Sequence, residues 1–135
     1  MRAEQVTVPV TYHGEGPVWS ERWDGLRWVD MLAGDVLLLP AGNAGTLRSW
    51  QPGSGPLAAS AVERRHVGKV AAAVRPRTGG GAVIGVERGF ALEDPDGSVT
   101  TLDELWTSSG VRMNEGGCDP HGRFYCGSMA YDHSP

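Results

Sequence analysis

The side chains whose types and surroundings best suit chemistry are Glu15 and the pair Arg112 and Asn114. Glu15 lies between two glycines and shortly before Pro17. Glycine permits backbone conformations that are closed to other residues, and proline fixes the backbone angle φ. Such a turn can direct a carboxylate into a cavity instead of along a sheet face. From Gly-Glu-Gly-Pro alone, however, a solvated turn carboxylate is the commoner interpretation.

Arg112 and Asn114 alternate on a segment that we predict to be extended, so their side chains point to the same side. A guanidinium donates paired hydrogen bonds to oxygen atoms, and an amide both donates and accepts. This combination suits a small ligand rich in hydroxyl and carbonyl oxygens. The alternative is a pair that satisfies its own hydrogen bonds at a strand end. Glu115 faces the other way on such a strand and is interpreted as a structural carboxylate.

Short strands must position these residues, because 20 glycines and 9 prolines interrupt the chain too often for long helices. The apolar runs are short, rich in Val, Leu and Trp, and bounded by turn residues. Only Leu102–Trp106 could form a helical turn. The predicted strands are Val6–Val10, Gly16–Ser20, Leu26–Met31, Val36–Pro40, Leu47–Trp50, Val70–Arg75, Ala82–Val86, Phe90–Glu93 and Arg123–Met129.

Three of the predicted hairpins resemble one another and indicate a repeat. Their turns end at Gly25, Gly81 and Gly122, so the pattern recurs after 56 and then 41 residues. The blades of a β-propeller repeat at roughly 40–50 residues, with four short strands in each. The spacing therefore favours a propeller over a β-sandwich.

Two longer segments resemble the signatures of a known family. His13–Trp19, which leads into Leu26–Asp30, and Arg112–Met129 are similar to the N-terminal motifs of regucalcin-like proteins. That family comprises senescence marker protein-30, gluconolactonases and luciferin-regenerating enzymes. The resemblance implies an all-β chain that forms a partial six-bladed β-propeller, with residues 1–135 providing the first two blades and the start of a third. It also implies a lactone hydrolase with one divalent metal ion in its central channel.

The resemblance also implies roles for particular residues. Glu15 would be a metal ligand, an interpretation favoured once Val18-Trp19 and Trp28-Val29-Asp30 are included. Arg112 and Asn114 would bind the substrate, with Asn114 near the metal. Asp132 stands where regucalcin has a glutamate that contacts substrate hydroxyls, so it is a further candidate for substrate binding.

The resemblance leaves the metal site and the mechanism incomplete. The family completes its site with an asparagine and an aspartate from later blades, and this aspartate is its expected general base. No residue in the chain aligns with either, so we assign no catalytic residue here and expect the base beyond Pro135. In such a lactonase the metal polarises the ring carbonyl and a carboxylate assists the attack of water. An all-oxygen site accepts several ions, so Ca²⁺, Zn²⁺ and Mn²⁺ all remain candidates.

Composition argues against several classes of partner. A net charge of −4 and a pI near 5.5 give no positive surface for nucleic acid or anionic membranes. No apolar run approaches the roughly 20 residues of a membrane helix, and Met1–Gln5 leads into no signal peptide. We therefore predict a cytoplasmic protein with neither partner. Cys118 and Cys126 flank an off-centre turn, so we expect no disulfide between them.

The sequence thus predicts the N-terminal portion of a metal-dependent sugar lactone hydrolase of the gluconolactonase type. A small-molecule sugar lactone is the expected ligand. The ending at Pro135 falls within a blade and favours a fragment, which we expect to self-associate through its open blade edge. One alternative is a non-catalytic protein, either a truncated paralogue or a calcium-binding or interaction module. The other is a propeller hydrolase that acts on a different ester or lactone.

Overall fold

A computed structural model describes residues 3–42 and 46–132, and this part of the chain is an all-β arc of three antiparallel sheets. The first two sheets have four strands each, and the third is a hairpin. The strands are β1 (Gly14–Ser20), β2 (Gly25–Asp30), β3 (Asp35–Pro40), β4 (Glu63–His66), β5 (Ala71–Pro76), β6 (Ala82–Val86), β7 (Gly89–Glu93), β8 (Val99–Thr101), β9 (Val111–Cys118) and β10 (Phe124–Ala130).

Each sheet is one blade of a propeller, and its strands follow one another in chain order. The first strands of the three blades, β1, β5 and β9, are the innermost. Strand β5 contacts both β1 and β9, so it lies between them. The sequence-based fold class, a partial propeller with two blades and the start of a third, is confirmed.

Small and β-branched side chains fill the space between the first two blades. Strand β5 contributes the buried run Ala71–Val74, of which Ala71 and Val74 share one cluster with Val29 and Val36 of the first blade. Alanine side chains are short, so the inner strand can approach its neighbours closely. A second cluster, formed by Met31, Val70, Ala72 and Met113, joins the first and second blades to the third. Phe90 and Phe124 extend this junction with an edge-to-face contact at 5.7 Å.

A buried ion pair also joins the first two blades. Arg27 of β2 donates from Nη1 and Nη2 to the two carboxylate oxygens of Glu93 on β7, at 2.8 and 3.2 Å. The guanidinium lies over the ring of Trp23, and the indole N–H of Trp23 donates to the carbonyl of Gly81. Blade packing therefore depends on directional contacts as well as apolar burial.

Gly34 fixes the passage from the first blade to the second. Its φ of 70° lies in the left-handed region, and a Cβ there would stand only 1.6 Å from the carbonyl oxygen of Gly68. No residue other than glycine fits this close backbone approach. The amide of Val67 in turn donates to the Gly34 carbonyl at 2.8 Å.

Several predicted elements differ from the structure. The segment predicted as the strand Val6–Val10 is wrong, since only a single bridge between Thr7 and Leu57 forms there. Leu47–Trp50 is wrong as a strand, because Leu47–Ser49 forms a 3₁₀ turn closed by a capping box. Leu102–Trp106 forms no helical turn. The sequence predicts no strand at β4 or β8, and it predicts β9 only as an extended segment through Arg112 and Asn114.

Three 3₁₀ turns are the helices of the described residues: Met31–Ala33, Leu47–Ser49 and Ala59–Ala61. Within residues 3–42 and 46–132, no helix has the length and apolar character that a bilayer crossing demands. Both cysteine thiols are free. The hairpin register places Cys118 opposite Phe124 and Cys126 opposite Gly116, so the two cysteines do not face each other.

Candidate functional site

All three innermost strands carry a β-bulge, and two of the bulges lie at predicted site residues. In β1, Gly16 and Pro17 together oppose Trp28, directly after Glu15. In β9, Asn114 and Glu115 together oppose Gly127. In β5 the extra residue is Ala72. A bulge interrupts the alternation of side chains between the two faces of a strand. Side chains on the inner strands therefore point in directions that a regular strand would not give them.

Asp30, at the end of β2, fixes the backbone that leads to Glu15. Its carboxylate accepts hydrogen bonds from the backbone amides of His13 at 2.8 Å and Tyr12 at 3.0 Å. The amide of Met31 donates to the carbonyl of His13 at 2.8 Å. Burial alone would raise the pKa of Asp30, but these two amides and the Arg64 guanidinium outweigh it and lower the pKa. The Glu15 turn is therefore anchored from the neighbouring strand.

Glu15 itself presents its carboxylate to solvent. The side chain is 46% exposed, and Oε1 lies 3.4 Å from Nε2 of His13. Gly16 follows with a φ of 56°, a left-handed conformation that lets the chain turn immediately after the carboxylate. Glu15 lines a cavity of about 330 Å³ together with residues of the N-terminal segment, including Val6 and Thr11.

Arg112 and Asn114 point to the same side, as predicted, and contact each other. Nη1 of Arg112 lies 3.0 Å from Oδ1 of Asn114, and it also reaches the Met113 carbonyl and the sulfur of Met31. Arginine has no acceptor, so the amide oxygen of Asn114 must face the guanidinium and its NH₂ group faces away. Arg112 is 6% exposed, and its buried Nε has no partner in the described part of the chain.

Tyr131 covers the guanidinium of Arg112 and is itself held in place by charged groups. The ring centroid lies 5.7 Å from the guanidinium carbon and 5.1 Å from Nζ of Lys69. The phenol donates to Glu87 at 2.6 Å, and Lys69 donates to the same carboxylate oxygen at 2.6 Å. Burial and the Glu87 carboxylate raise the pKa of Tyr131, so the phenol stays protonated. Asp132 follows at the exposed end of this hairpin and does not line the cavity beside Asn114.

The amide of Asn114 opens onto a cavity of about 530 Å³ between the second and third blades. Glu115 lines the same cavity, contrary to the predicted alternation, because both residues belong to one bulge. Arg75, at the end of β5, also lines it. Arg75 is not among the site residues predicted from the sequence. The repeat offers a signal for it, because Val74-Arg75-Pro76 precedes the turn at Gly81 as Val18-Trp19-Ser20 precedes the turn at Gly25, and Val18-Trp19-Ser20 belongs to the inner strand β1.

The described residues do not form a complete metal site. Residues 3–42 and 46–132 contain no group of three His, Cys, Asp or Glu side chains placed to hold an ion. Glu15 and Asn114 line different cavities. A cation such as Ca²⁺ takes six to eight oxygen ligands, so one carboxylate is insufficient. Accordingly, we assign no chemical step to a metal held by these residues.

The radial arrangement of four-stranded blades around bulged inner strands defines a β-propeller protein. Residues 13–135 match the family described as SMP-30/Gluconolactonase/LRE-like region, and the chain belongs to this family. It is 31% identical over 123 residues to regucalcin from Danio rerio, and 33% identical over 134 residues to regucalcin from Xenopus laevis. These alignments cover 90% and 97% of this chain but only 36% and 40% of the relatives.

Solved structures show the same fold. A luciferin-regenerating enzyme superposes with a TM-score of 0.71 at 21% identity, covering 94% of this chain and 39% of that one. Regucalcin from Agrobacterium tumefaciens, described as a calcium-binding protein, gives a TM-score of 0.68 at 22% identity, covering 90% and 37%. The chain thus spans about two-fifths of the length of the relatives that it matches.

Proposed function

We propose that this chain is the N-terminal part of a divalent-metal-dependent hydrolase of sugar lactones, of the gluconolactonase type. Family membership supports the class of reaction, and the Arg112–Asn114 pair is the observation that supports the ligand. Because the chain matches only about two-fifths of its relatives, the activity is proposed for the whole propeller. Glu15 would supply one ligand to Ca²⁺, Zn²⁺ or Mn²⁺, and later blades would supply the others.

In this proposal Asn114 is the residue that touches the lactone. Arg112 donates a hydrogen bond to the amide oxygen of Asn114, so the NH₂ group of Asn114 is free to donate into the cavity. Ring, carbonyl and hydroxyl oxygens of a sugar lactone all accept such hydrogen bonds. Arg112 keeps the amide in this orientation from beneath, since its own side chain is buried and does not line the cavity. We propose Asp132 as a further contact to substrate hydroxyls in the complete propeller.

The same proposal places the protein in the cytoplasm, with no nucleic-acid or membrane partner. Two free thiols in the described part of the chain are compatible with a reducing compartment. The acidic composition favours neither nucleic acid nor anionic lipid.

The proposal is tested by hydrolysis of D-glucono-1,5-lactone by the full-length protein, corrected for spontaneous ring opening. Activity should disappear with a chelator and return with Ca²⁺, Zn²⁺ or Mn²⁺. Asn114→Ala should lower kcat/KM by about tenfold or more, since it removes the donor to the substrate. Ser98→Ala, in an exposed turn that does not line the cavity, is the control. A protein that binds metal but hydrolyses no lactone or ester would instead be a calcium-binding or interaction module.

A further inference from the structure

Arg75 is a half-buried cation placed where the three blades meet. It lies near the end of β5, the inner strand between β1 and β9. A Cβ built on Gly16 of the first blade would lie 3.8 Å from its Nη1. On the other side it lines the cavity of Asn114. The guanidinium therefore stands between the Glu15 turn and the proposed lactone-binding amide.

The charge of Arg75 has no counter-ion in the part of the chain that the structure describes. Nη1 donates to the carbonyl of the preceding residue, Val74, at 2.7 Å, and none of the described carboxylates forms an ion pair with it. Six described arginines do pair with carboxylates: Arg27, Arg48, Arg64, Arg77, Arg88 and Arg123. Arg22 and Arg65 do not, but both are exposed and donate to backbone carbonyls of the next blade.

Arg75 and Arg112 are thus the described arginines that combine partial or full burial with the lack of a carboxylate partner. Both lie on inner strands. Arg112 donates to Asn114, to the Met113 carbonyl and to the sulfur of Met31. Among the described residues, Arg75 donates to the Val74 carbonyl alone, so most of its five N–H donors remain available. Glu115 lines the cavity but is exposed and forms no ion pair with Arg75. A partly desolvated guanidinium of this kind is complementary to an anion.

We infer that Arg75 binds an acidic group of the substrate, so that the preferred lactone carries a carboxylate or a phosphate besides its ring ester. This inference rests on the proposed lactonase function. The cavity of about 530 Å³ falls within the range of small-molecule sites and has Asn114 and Arg75 on its lining. One ligand can therefore place its ring oxygens at Asn114 and its acidic group at Arg75. Arginine recognises both anions through paired hydrogen bonds.

The kinetic test compares three lactones with the full-length protein: neutral D-glucono-1,5-lactone, D-glucaro-1,4-lactone with its carboxylate, and 6-phospho-D-gluconolactone. At least one acidic lactone should have a kcat/KM about tenfold above the neutral one, and the pair identifies which anion is recognised. Arg75→Gln should lower the acidic-to-neutral ratio of kcat/KM at least tenfold. Arg75→Lys, which keeps the charge but not the forked geometry, should lower it less.

Arg48→Gln is the matched control, since it removes an equal charge from an exposed ion pair on the first blade and should leave the ratio unchanged. A parent protein that prefers the neutral lactone would overturn the inference. So would an Arg75→Gln variant with an undiminished ratio. Thermal melts of each variant show whether it is folded.

A binding measurement keeps the inference testable even if no lactone is hydrolysed, which would refute only the proposed function. Isothermal titration of the full-length protein uses gluconate, glucarate and 6-phosphogluconate as probes. Glucarate or 6-phosphogluconate should bind about tenfold more tightly than gluconate, and Arg75→Gln should abolish that difference. Equal affinity for the three probes, or a difference that survives in Arg75→Gln, would overturn the anion-binding role of Arg75.

Discussion

At the scale of single residues, two acidic side chains near the N-terminus have separate tasks. Asp30 is 2% exposed and uses its carboxylate to hold the amides of Tyr12 and His13. Glu15, two residues after His13, stays exposed and makes one long contact with it. The buried carboxylate therefore shapes the turn, and the carboxylate of Glu15 remains exposed to solvent.

Glu15→Gln in the full-length protein should lower metal affinity and lactone hydrolysis together. The change keeps the shape of the side chain and removes the charge that a divalent ion requires. We expect roughly a tenfold or greater loss of both, because even residues that only support a metal ligand typically change metal affinity or activity by this much when substituted. Metal content by atomic emission and turnover are measured in parallel, with exposed Glu21→Gln as the control. Normal metal content and turnover in Glu15→Gln would show that Glu15 is not a ligand.

Arg112→Ala should raise KM for the lactone while metal content stays nearly unchanged. The substitution removes the donor that orients the Asn114 amide, but it leaves the Glu15 turn intact. Losing a charge-assisted hydrogen bond at a binding site corresponds to about a 10- to 100-fold weaker interaction. Steady-state kinetics and metal analysis on the same preparation separate the two effects. A parallel loss of metal and substrate binding would contradict the assigned role.

The depressed pKa of Asp30 predicts a pH dependence of stability. A carboxyl group whose pKa is lower in the folded state stabilises the protein above the unfolded-state pKa, and this contribution is lost as pH falls through the folded-state pKa. At pH 7, Asp30→Asn should therefore be less stable than the parent by about 1–3 kcal/mol. The difference should shrink below about pH 4. Urea unfolding from pH 7 to pH 3 measures it, and a pH-independent difference would rule out the charge of Asp30 as the cause.

At the scale of elements, the ion pair between β2 and β7 ties the first two blades together. The side chains of Arg27 and Glu93 are only 13% and 9% exposed, so their charges are mostly removed from water. Removing one partner of such a pair lowers the stability more than replacing both partners with apolar residues, because the remaining charge is left buried without a partner.

Arg27→Ala should therefore destabilise the full-length protein by about 3–5 kcal/mol. The double substitution Arg27→Met with Glu93→Leu should cost less than Arg27→Ala alone, since no buried charge remains. Arg48→Ala breaks an exposed pair and should cost less than about 1 kcal/mol. Urea unfolding gives all three values. A double variant at least as destabilised as Arg27→Ala would mean that the pair itself contributes net stability.

At the scale of the whole molecule, the third blade is described only as a hairpin, so β10 pairs with β9 on one side and leaves its other edge open. Tyr125 on this strand is 56% exposed. An unpaired strand edge is a template for pairing with another chain. The described residues also lack a complete set of metal ligands, so we expect no metal-dependent activity from them alone.

The isolated 135-residue polypeptide should therefore self-associate and show negligible metal-dependent hydrolysis of gluconolactone above the spontaneous rate. Light scattering gives its size, and the lactone assay is run with added Ca²⁺, Mn²⁺ or Zn²⁺. Substantial turnover by a monodisperse monomer would mean that other residues of this polypeptide complete the site. Turnover by a defined dimer would point to complementation between two copies.

The sequence by itself determined the elements whose signals are local. Apolar runs between glycine-rich turns predicted most strands of the first two blades, and the Glu15 and Arg112–Asn114 motifs could be read directly. The polar edge strand β4, Glu63–His66, could not be predicted, because it is fully exposed and owes its conformation to pairing with β3. Val6–Val10 had the composition of a strand but acquired only a single bridging partner.

Only the tertiary structure decided how residues from separate blades meet. It buried Arg112, set Asp30 against the His13 amide, placed Asn114 and Glu115 in one bulge and brought Arg75 of β5 beside Gly16 of β1 and the cavity of Asn114. A strand pattern reports which face of its own sheet a side chain occupies, with a period of two residues. It carries no information on which neighbouring blade that face meets, or where a bulge shifts the alternation. These are set by packing between segments that are distant in sequence.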